Sequence, residues 1–187
     1  MLKITPVSKH HPLHSRRRVV KLPFGTTRFL AAFEGIEGGF AIGASIVVAL
    51  SFAGIERHLL FITAIVSIVV SGFNSASVKY SSEHYLDELD GREKKNAFSH
   101  YFIPSLIEFV CYFAISFISV LPLIFVRDTA IAVTMSVCIT LLLLFMAGFW
   151  RGFMLKTNGF RDGIETIVLG VGIVVVGLVS GLVIHSL

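Results

Sequence analysis

Four acidic residues lie inside long apolar stretches of this sequence, where an ionised side chain is costly. Glu34 and Glu37 fall in the first stretch, Glu108 in the third and Glu165 at the start of the fifth. A charge at the centre of a bilayer costs at least about 2.5–3.5 kcal/mol, so such residues usually face a cavity or a partner. Carboxylate oxygens are ligands for hard or borderline divalent cations. The acids therefore predict a path for a divalent cation.

Ion pairing is the alternative interpretation, because each acid could instead meet a basic residue or extend to the membrane surface. We expect pairing for Glu165 and for Glu83, which lie near helix ends, and a functional role for Glu37 and Glu108. The spacing of Glu34 and Glu37 puts both carboxylates on one helix face. The basic residues available as partners are Arg28, Lys79 and Arg161.

Polar residues in and after the second apolar stretch extend this set. Asn74 and Ser75 can supply oxygen ligands, or else hydrogen bonds between helices worth about 0.6–2 kcal/mol each. The chain that follows is dense in charge, and we expect it to continue as a short cytosolic helix. Its acids would form a cytosolic entry for the cation, or a solvated face with ion pairs along the helix. The residues of this entry are Glu83, Asp87 and Glu88.

Five apolar stretches are long enough to cross a bilayer core of about 30 Å, which needs roughly 20 residues per helix. With 55% hydrophobic and 15% charged residues and a mean hydropathy of +0.82, the chain is too apolar for one soluble core. The composition predicts an all-α, polytopic integral membrane protein with five transmembrane helices. We expect a basic cytosolic tail over 1–28, a transmembrane domain over 29–187 and a short cytosolic loop over 83–100. The predicted spans are 29–53, 59–82, 101–126, 129–155 and 163–187.

The positive charges predict the orientation of these spans. Only Arg57 and Arg127 fall on one side of the predicted membrane, and the other Lys and Arg residues fall on the opposite side. Because basic residues favour the cytoplasmic side, we expect a cytoplasmic N-terminus and a C-terminus outside the cell or in a lumen. The cytoplasmic set is Lys3, Lys9, Arg16, Arg17, Arg18, Lys21, Arg28, Lys79, Arg92, Lys94, Lys95, Arg151, Lys156 and Arg161.

The remaining features argue against several other classes of protein. The net charge of +4 is divided among alternate loops, which is not the footprint of a nucleic-acid-binding surface. No nucleotide-binding loop, nucleophile elbow or paired-cysteine zinc motif is present in the sequence, so an enzyme is not predicted. Cys111 and Cys138 lie in apolar runs and are interpreted as small buried side chains. The basic tail is expected to contact anionic lipid, and its histidines, His10, His11 and His14, to be solvated.

Glycines at intervals of four residues predict close approach between helices. Such stripes let two helix backbones come together, either inside one bundle or between two copies of a chain. The sequence alone leaves that choice open. The stripes comprise Gly35, Gly39 and Gly43 in the first span, Gly148 and Gly152 in the fourth, and Gly177 and Gly181 in the fifth.

Two segments resemble the vacuolar iron transporter family. The segment Phe33 to Gly38 (FEGIEG) is similar to the family's F-G-A-N-D-G signature, with Glu37 at its acidic position. The segment Asn74 to Glu83 (NSASVKYSSE) is similar to its S-M-A-x-G-E-Y-x-S pattern. The order of five spans agrees too, and the likeness covers nearly all of the chain after the tail. Further similar positions are Pro104, the run Val120 to Leu123, and the segment from Lys156 to Gly170.

This resemblance implies a homodimeric transporter that moves Fe(II), and often Mn(II), out of the cytosol in exchange for protons. It also implies that the path is lined by the acid of the first helix, here Glu37, and by a methionine and a glutamate of the second helix. Ser75 and Lys79 occupy those two positions here. Serine lacks the soft thioether that helps to select iron over magnesium or calcium. The segment between spans two and three is short, so the chain resembles members without a large cytosolic metal-binding domain.

Two functions from different classes follow. The first is a divalent-cation transporter in which Glu37 and Glu108 are core ligands, and Glu34, Asn74, Ser75 and Glu165 also line the path. Protonation of the carboxylates would release the ion on the far side. The metal is then a substrate rather than a permanently bound cofactor. The expected partners are lipid, protons and a second copy of the chain. The expected location is a prokaryotic plasma membrane or an organelle membrane. The alternative is a non-transporting membrane scaffold whose glycine stripes mediate contacts.

Overall fold

The computed structural model describes residues 25–92 and 96–187, and most of these residues are helical. The predicted tail up to residue 24, with its three histidines, and residues 93–95 lie outside the described residues. A π-helical turn, Phe98–Phe102, leads directly into the third long helix. The long helices are α1 Thr26–Phe52, α2 Arg57–Leu89, α3 Ile103–Phe125, α4 Thr129–Leu155 and α5 Gly159–His185.

Each of the five helices is long and apolar enough to cross a membrane, α3 together with the π-helical turn before it. Large apolar side chains such as Val70, Phe125 and Val176 are exposed on the outside of the bundle, as a lipid-facing surface requires. The prediction of an all-α, multi-pass membrane protein with five spanning helices is therefore confirmed. Cys138 lies on the exposed surface of α4, so its predicted burial was wrong, whereas Cys111 is partly buried.

Side-chain caps begin two of the five long helices, α4 and α5. Asp128 accepts a hydrogen bond from the backbone N–H of Ile131 at 3.1 Å, which starts α4 directly after the α3–α4 hairpin. Asn158 caps α5 in the same way through the N–H of Arg161, before the apolar run begins. The helical continuation expected after the second span is present, because α2 runs past residue 82 as far as Leu89.

Helix α1 is the centre of the bundle and contacts all four other long helices. Its glycines lie against the backbone of α3. A Cβ atom added at Gly39 would lie 2.6 Å from the carbonyl oxygen of Tyr112, and one at Gly43 would lie 3.1 Å from the Cα atom of Ser116. Gly35 packs equally closely against the carbonyl group of Glu108. The first glycine stripe therefore serves packing within the protomer, because any side chain there would force α1 and α3 apart.

The other two glycine stripes serve the same purpose on different helices. Gly177 and Gly181 of α5 pack against the backbone of α1 at Ser45 and Ala49. Gly148 and Gly152 of α4 pack against the first turns of α5. The predicted choice between bundle packing and a contact between copies is thus resolved toward the bundle for the faces that carry these residues.

One end of the bundle is closed by apolar packing and by a basic clamp. A buried apolar cluster that includes Val47, Leu60 and Val120 fills the interior of the bundle from its middle to this end. The guanidinium of Arg57 donates hydrogen bonds to the carbonyl oxygens of Leu123 and Arg127, which joins the start of α2 to the α3–α4 hairpin. This end lies opposite the described acids of α1 and α3.

Candidate cation site

The two acids of α1 separate toward different neighbours. Glu34 pairs with Lys79 of α2, whereas Glu37 pairs with Arg151 of α4. Residues three positions apart on a helix differ by about 60° around its axis. Because α2 and α4 lie on either side of this face of α1, that difference is enough to direct each acid to a separate basic partner. The shared face that the spacing predicted is therefore divided between two separate ion-pair groups.

The first group lines an open cleft of about 460 Å³ between α1, α2 and α3. On α2, Ser75, Lys79 and Glu83 are spaced by four residues and so form one stripe along the helix. Glu34 reaches the cleft from α1 and Glu108 from α3. Four of these five side chains can supply oxygen atoms, and Lys79 supplies a positive charge.

Lys79 is the best-paired residue of the cleft. Its ammonium group is hydrogen-bonded to Glu34 Oε2 and lies 3.0 Å from Glu83 Oε1. The Lys79 side chain is only 8% exposed, whereas that of Glu34 is 44% exposed. A buried ammonium is tolerated only when opposite charges satisfy it. The two carboxylates therefore hold the lysine in place on the inner side of the cleft.

Glu108 is the most buried acid among the described residues of the cleft, with 4% of the residue exposed. One carboxylate oxygen, Oε1, accepts a hydrogen bond from Ser75 Oγ at 2.5 Å. The other, Oε2, is buried and has no hydrogen-bond partner among the described residues. Buried polar atoms are nearly always satisfied, and leaving one unpaired costs about 1–3 kcal/mol or more. Glu108 lines the cleft, and its unpaired oxygen leaves this carboxylate with an unused acceptor for a ligand.

The second group centres on Glu37. Arg151 Nη1 lies 2.8 Å from Glu37 Oε1 and 2.9 Å from Oε2, and both side chains are about one-quarter exposed. Glu34 and Glu165 are near enough to act on Glu37 electrostatically. Glu37 does not line the cleft that contains Glu108. The structure of one protomer therefore does not bring these two predicted core ligands together.

The remaining predicted residues lie at the edges of this arrangement. Asn74 and Glu165 are exposed, as is Glu88 near the end of α2. Asp87 accepts a hydrogen bond from the hydroxyl of Tyr101 at 2.9 Å. In the described part of the chain, no group of three or more His, Cys, Asp or Glu side chains is placed to hold a metal ion. Within the cleft, Glu34 and Glu83 lie at the mouth, Glu108 lies deeper, and Lys79 lies between them.

Arg151 was not among the predicted partners of the acids, because it was counted only with the basic residues of the cytoplasmic side. Arg151 lies one turn inside α4, on the side that faces α1. Its position inside an apolar run was the available signal, since a basic residue at that depth needs an acidic partner just as an acid needs a basic one.

Comparison with known proteins agrees with the fold. A search among curated proteins gives no match to the chain. The model of the VIT family matches residues 81–182, which run from the last turns of α2 almost to the end of α5. This match covers more than half of the 187 residues. The chain therefore belongs to the VIT family, and its membership indicates a multi-pass membrane metal transporter.

Proposed function

We propose that the protein moves divalent cations, Fe(II) or Mn(II), out of the cytosol in exchange for protons, and that the cleft between α1, α2 and α3 is its cytosolic binding site. The observation that carries the proposal is Glu108, which lines this cleft and whose buried Oε2 has no hydrogen-bond partner among the described residues. A divalent cation there would satisfy the orphaned oxygen. Glu34 and Glu83 provide further carboxylates at the mouth.

The chemistry of the cleft favours a hard or borderline cation. The groups of its described lining that can bind a metal are carboxylate and hydroxyl oxygens, from the three glutamates and from Ser75 and Ser82. Such donors suit Mn(II), as well as Mg(II) and Ca(II), and lack the soft sulfur that helps to select iron. We therefore propose that the site discriminates little between manganese and iron.

The orientation follows from the charge pattern. The cleft lies at the end of the bundle near the end of α2, on the side where most basic residues of the sequence fall. Under the positive-inside rule this side is cytoplasmic. The apolar cluster and the Arg57 clamp close the opposite end. This arrangement corresponds to a carrier that is open to the cytosol, and protonation of its carboxylates would complete the exchange. The family resemblance adds a homodimer as the working unit.

Transport by inside-out vesicles tests the proposal directly. We would compare wild-type protein with Glu108→Gln, using a panel of Fe(II), Mn(II), Mg(II) and Ca(II) and a pH-sensitive dye in the lumen. The expected result is metal uptake with proton release from the lumen, reduced at least about tenfold by Glu108→Gln. Glu56→Gln is the matched control, because this exposed acid lies at the closed end of the bundle. Absence of wild-type flux for every metal, or full flux in Glu108→Gln, would refute the proposal.

The scaffold function is the second candidate, and the ion pairs of Glu34 and Glu37 are the observation in its favour. All three glycine stripes, however, pack inside the protomer. They are therefore not available for the contacts with other proteins that a scaffold would need. This candidate expects Glu37→Gln to change stability or oligomerisation while vesicles of either protein carry no metal. Measurable wild-type flux removes it.

A further inference from the structure

We propose that Lys79 is a tethered competitor of the transported cation. Its ammonium neutralises Glu34 and Glu83 while the site holds no metal, and an entering cation displaces it on the way to Glu108. This inference rests on the proposed use of the cleft as the cation site. It assigns to one residue the control of how tightly, and how selectively, the site takes a cation.

The first argument is the position of Lys79 along the entry route. Glu83, Lys79 and Ser75 follow one another on α2 at intervals of four residues, or about 6 Å per step. Glu83 is nearest the end of the helix, and Ser75 is the hydrogen-bond partner of the buried Glu108. A cation that moves along this stripe from Glu83 toward Glu108 would therefore meet Lys79 on its way.

The second argument is charge. Lys79 is the one basic residue in the described lining of the cleft, and three glutamates surround it. Glu108 lies within electrostatic reach of Lys79, Glu34 and Glu83. With the lysine in place, two of these carboxylates are already matched by an ammonium. A divalent cation gains more than the lysine from the same carboxylates because it carries twice the charge, whereas a monovalent cation gains no such advantage.

The third argument is that the lysine can leave without unfolding the site. An ammonium is a compact charge on a flexible four-carbon stem, which can swing its charged end into water. Its partner Glu34 is 44% exposed, so the pair stands at the border between the cleft and solvent. Lys79 itself begins buried, at 8% side-chain exposure. Displacement would consequently convert a shielded amine into an accessible one.

Equilibrium binding of Mn²⁺ to the purified full chain in detergent tests this inference separately from transport. The free Mn²⁺ signal in electron paramagnetic resonance would be measured for wild type, Lys79→Ala and Lys79→Arg. One unit charge within a few ångströms is worth more than a factor of ten at the dielectric of a protein surface. We expect Lys79→Ala to lower the Kd for Mn²⁺ about tenfold or more, and Lys79→Arg to stay near wild type. Methylammonium should weaken binding to Lys79→Ala much more than binding to wild type.

A measurement on the wild-type chain covers the case in which Lys79→Ala does not fold. Acylation of Lys79 by an amine-specific reagent, followed by mass spectrometry, should rise several-fold when Mn²⁺ is added. The exposed Lys156 serves as the internal control and should not change. Weaker or unchanged Mn²⁺ binding in a folded Lys79→Ala, no binding to either protein, or unchanged acylation would overturn the inference. Binding that behaves as expected without vesicle flux would refute only the proposed transport.

Discussion

Breaking the ion pair between α1 and α4 should reveal whether Glu37 is held for structure or is free to bind a cation. Arg151→Ala removes the guanidinium that lies 2.8 and 2.9 Å from the two Glu37 oxygens. At 2.8 Å and an effective dielectric constant of about 20, Coulomb attraction amounts to roughly 6 kcal/mol. The cost of removing both groups from water offsets much of this attraction. Because each side chain keeps about a quarter of its surface exposed, we expect a net coupling of about 1.5–3 kcal/mol.

A double-mutant cycle measures this coupling. The free energy of unfolding in mixed micelles would be determined for wild type, Arg151→Ala, Glu37→Gln and the double variant. Arg151→Ala is expected to lose the most, about 2–3 kcal/mol, because it leaves a carboxylate unpaired inside the span. The double variant should be less destabilised than the sum of the two single variants. Arg161→Ala, which removes an exposed cation, should change stability by less than about 0.5 kcal/mol.

The result that would refute this reasoning is a coupling below about 0.5 kcal/mol. If the two single variants then also lost metal uptake while remaining stable, Glu37 would have to act as a ligand, the role that the family resemblance implies for it. Full uptake in Glu37→Gln together with strong coupling would instead assign the pair to the architecture of the bundle.

Two further predictions concern packing and capping. Gly39→Ala should destabilise the bundle by about 1–3 kcal/mol, because the new Cβ atom would lie 2.6 Å from the carbonyl oxygen of Tyr112. Thermal unfolding measures this loss. Gly172→Ala is the control, because no atom lies within 4 Å of its new Cβ atom. Equal melting temperatures for the two alanine variants would contradict the close packing of α1 on α3. Asp128→Ala should cost about 1 kcal/mol by removing the cap of α4, and Asp128→Asn, which keeps an acceptor oxygen, should recover most of it; a loss of the same size in both variants would show that the negative charge matters instead.

Length and hydropathy were enough to predict the helices, because a bilayer fixes how many apolar residues a span needs. The tight α3–α4 turn was also predictable, since only Arg127 and Asp128 separate two long apolar runs. The side-chain partners were not. The pairs Glu34–Lys79 and Glu37–Arg151 both depend on which helices lie beside α1. The order of helices around a bundle cannot be predicted from the periodicity of a single segment. The burial of Glu108 follows from Gly35, whose missing side chain brings α1 onto the α3 backbone.

Under the proposed transport, the Arg57 clamp would affect how the closed end opens. One planar guanidinium serves two carbonyl groups, one from within the last turns of α3 and one from the turn that follows. Two separate side chains could release these groups one at a time, with a stable half-open form between. A single shared donor group releases both when it departs, so the hairpin and the start of α2 separate together. Under the proposed transport, we therefore expect this end of the bundle to open in one step when Arg57 leaves its two carbonyl acceptors.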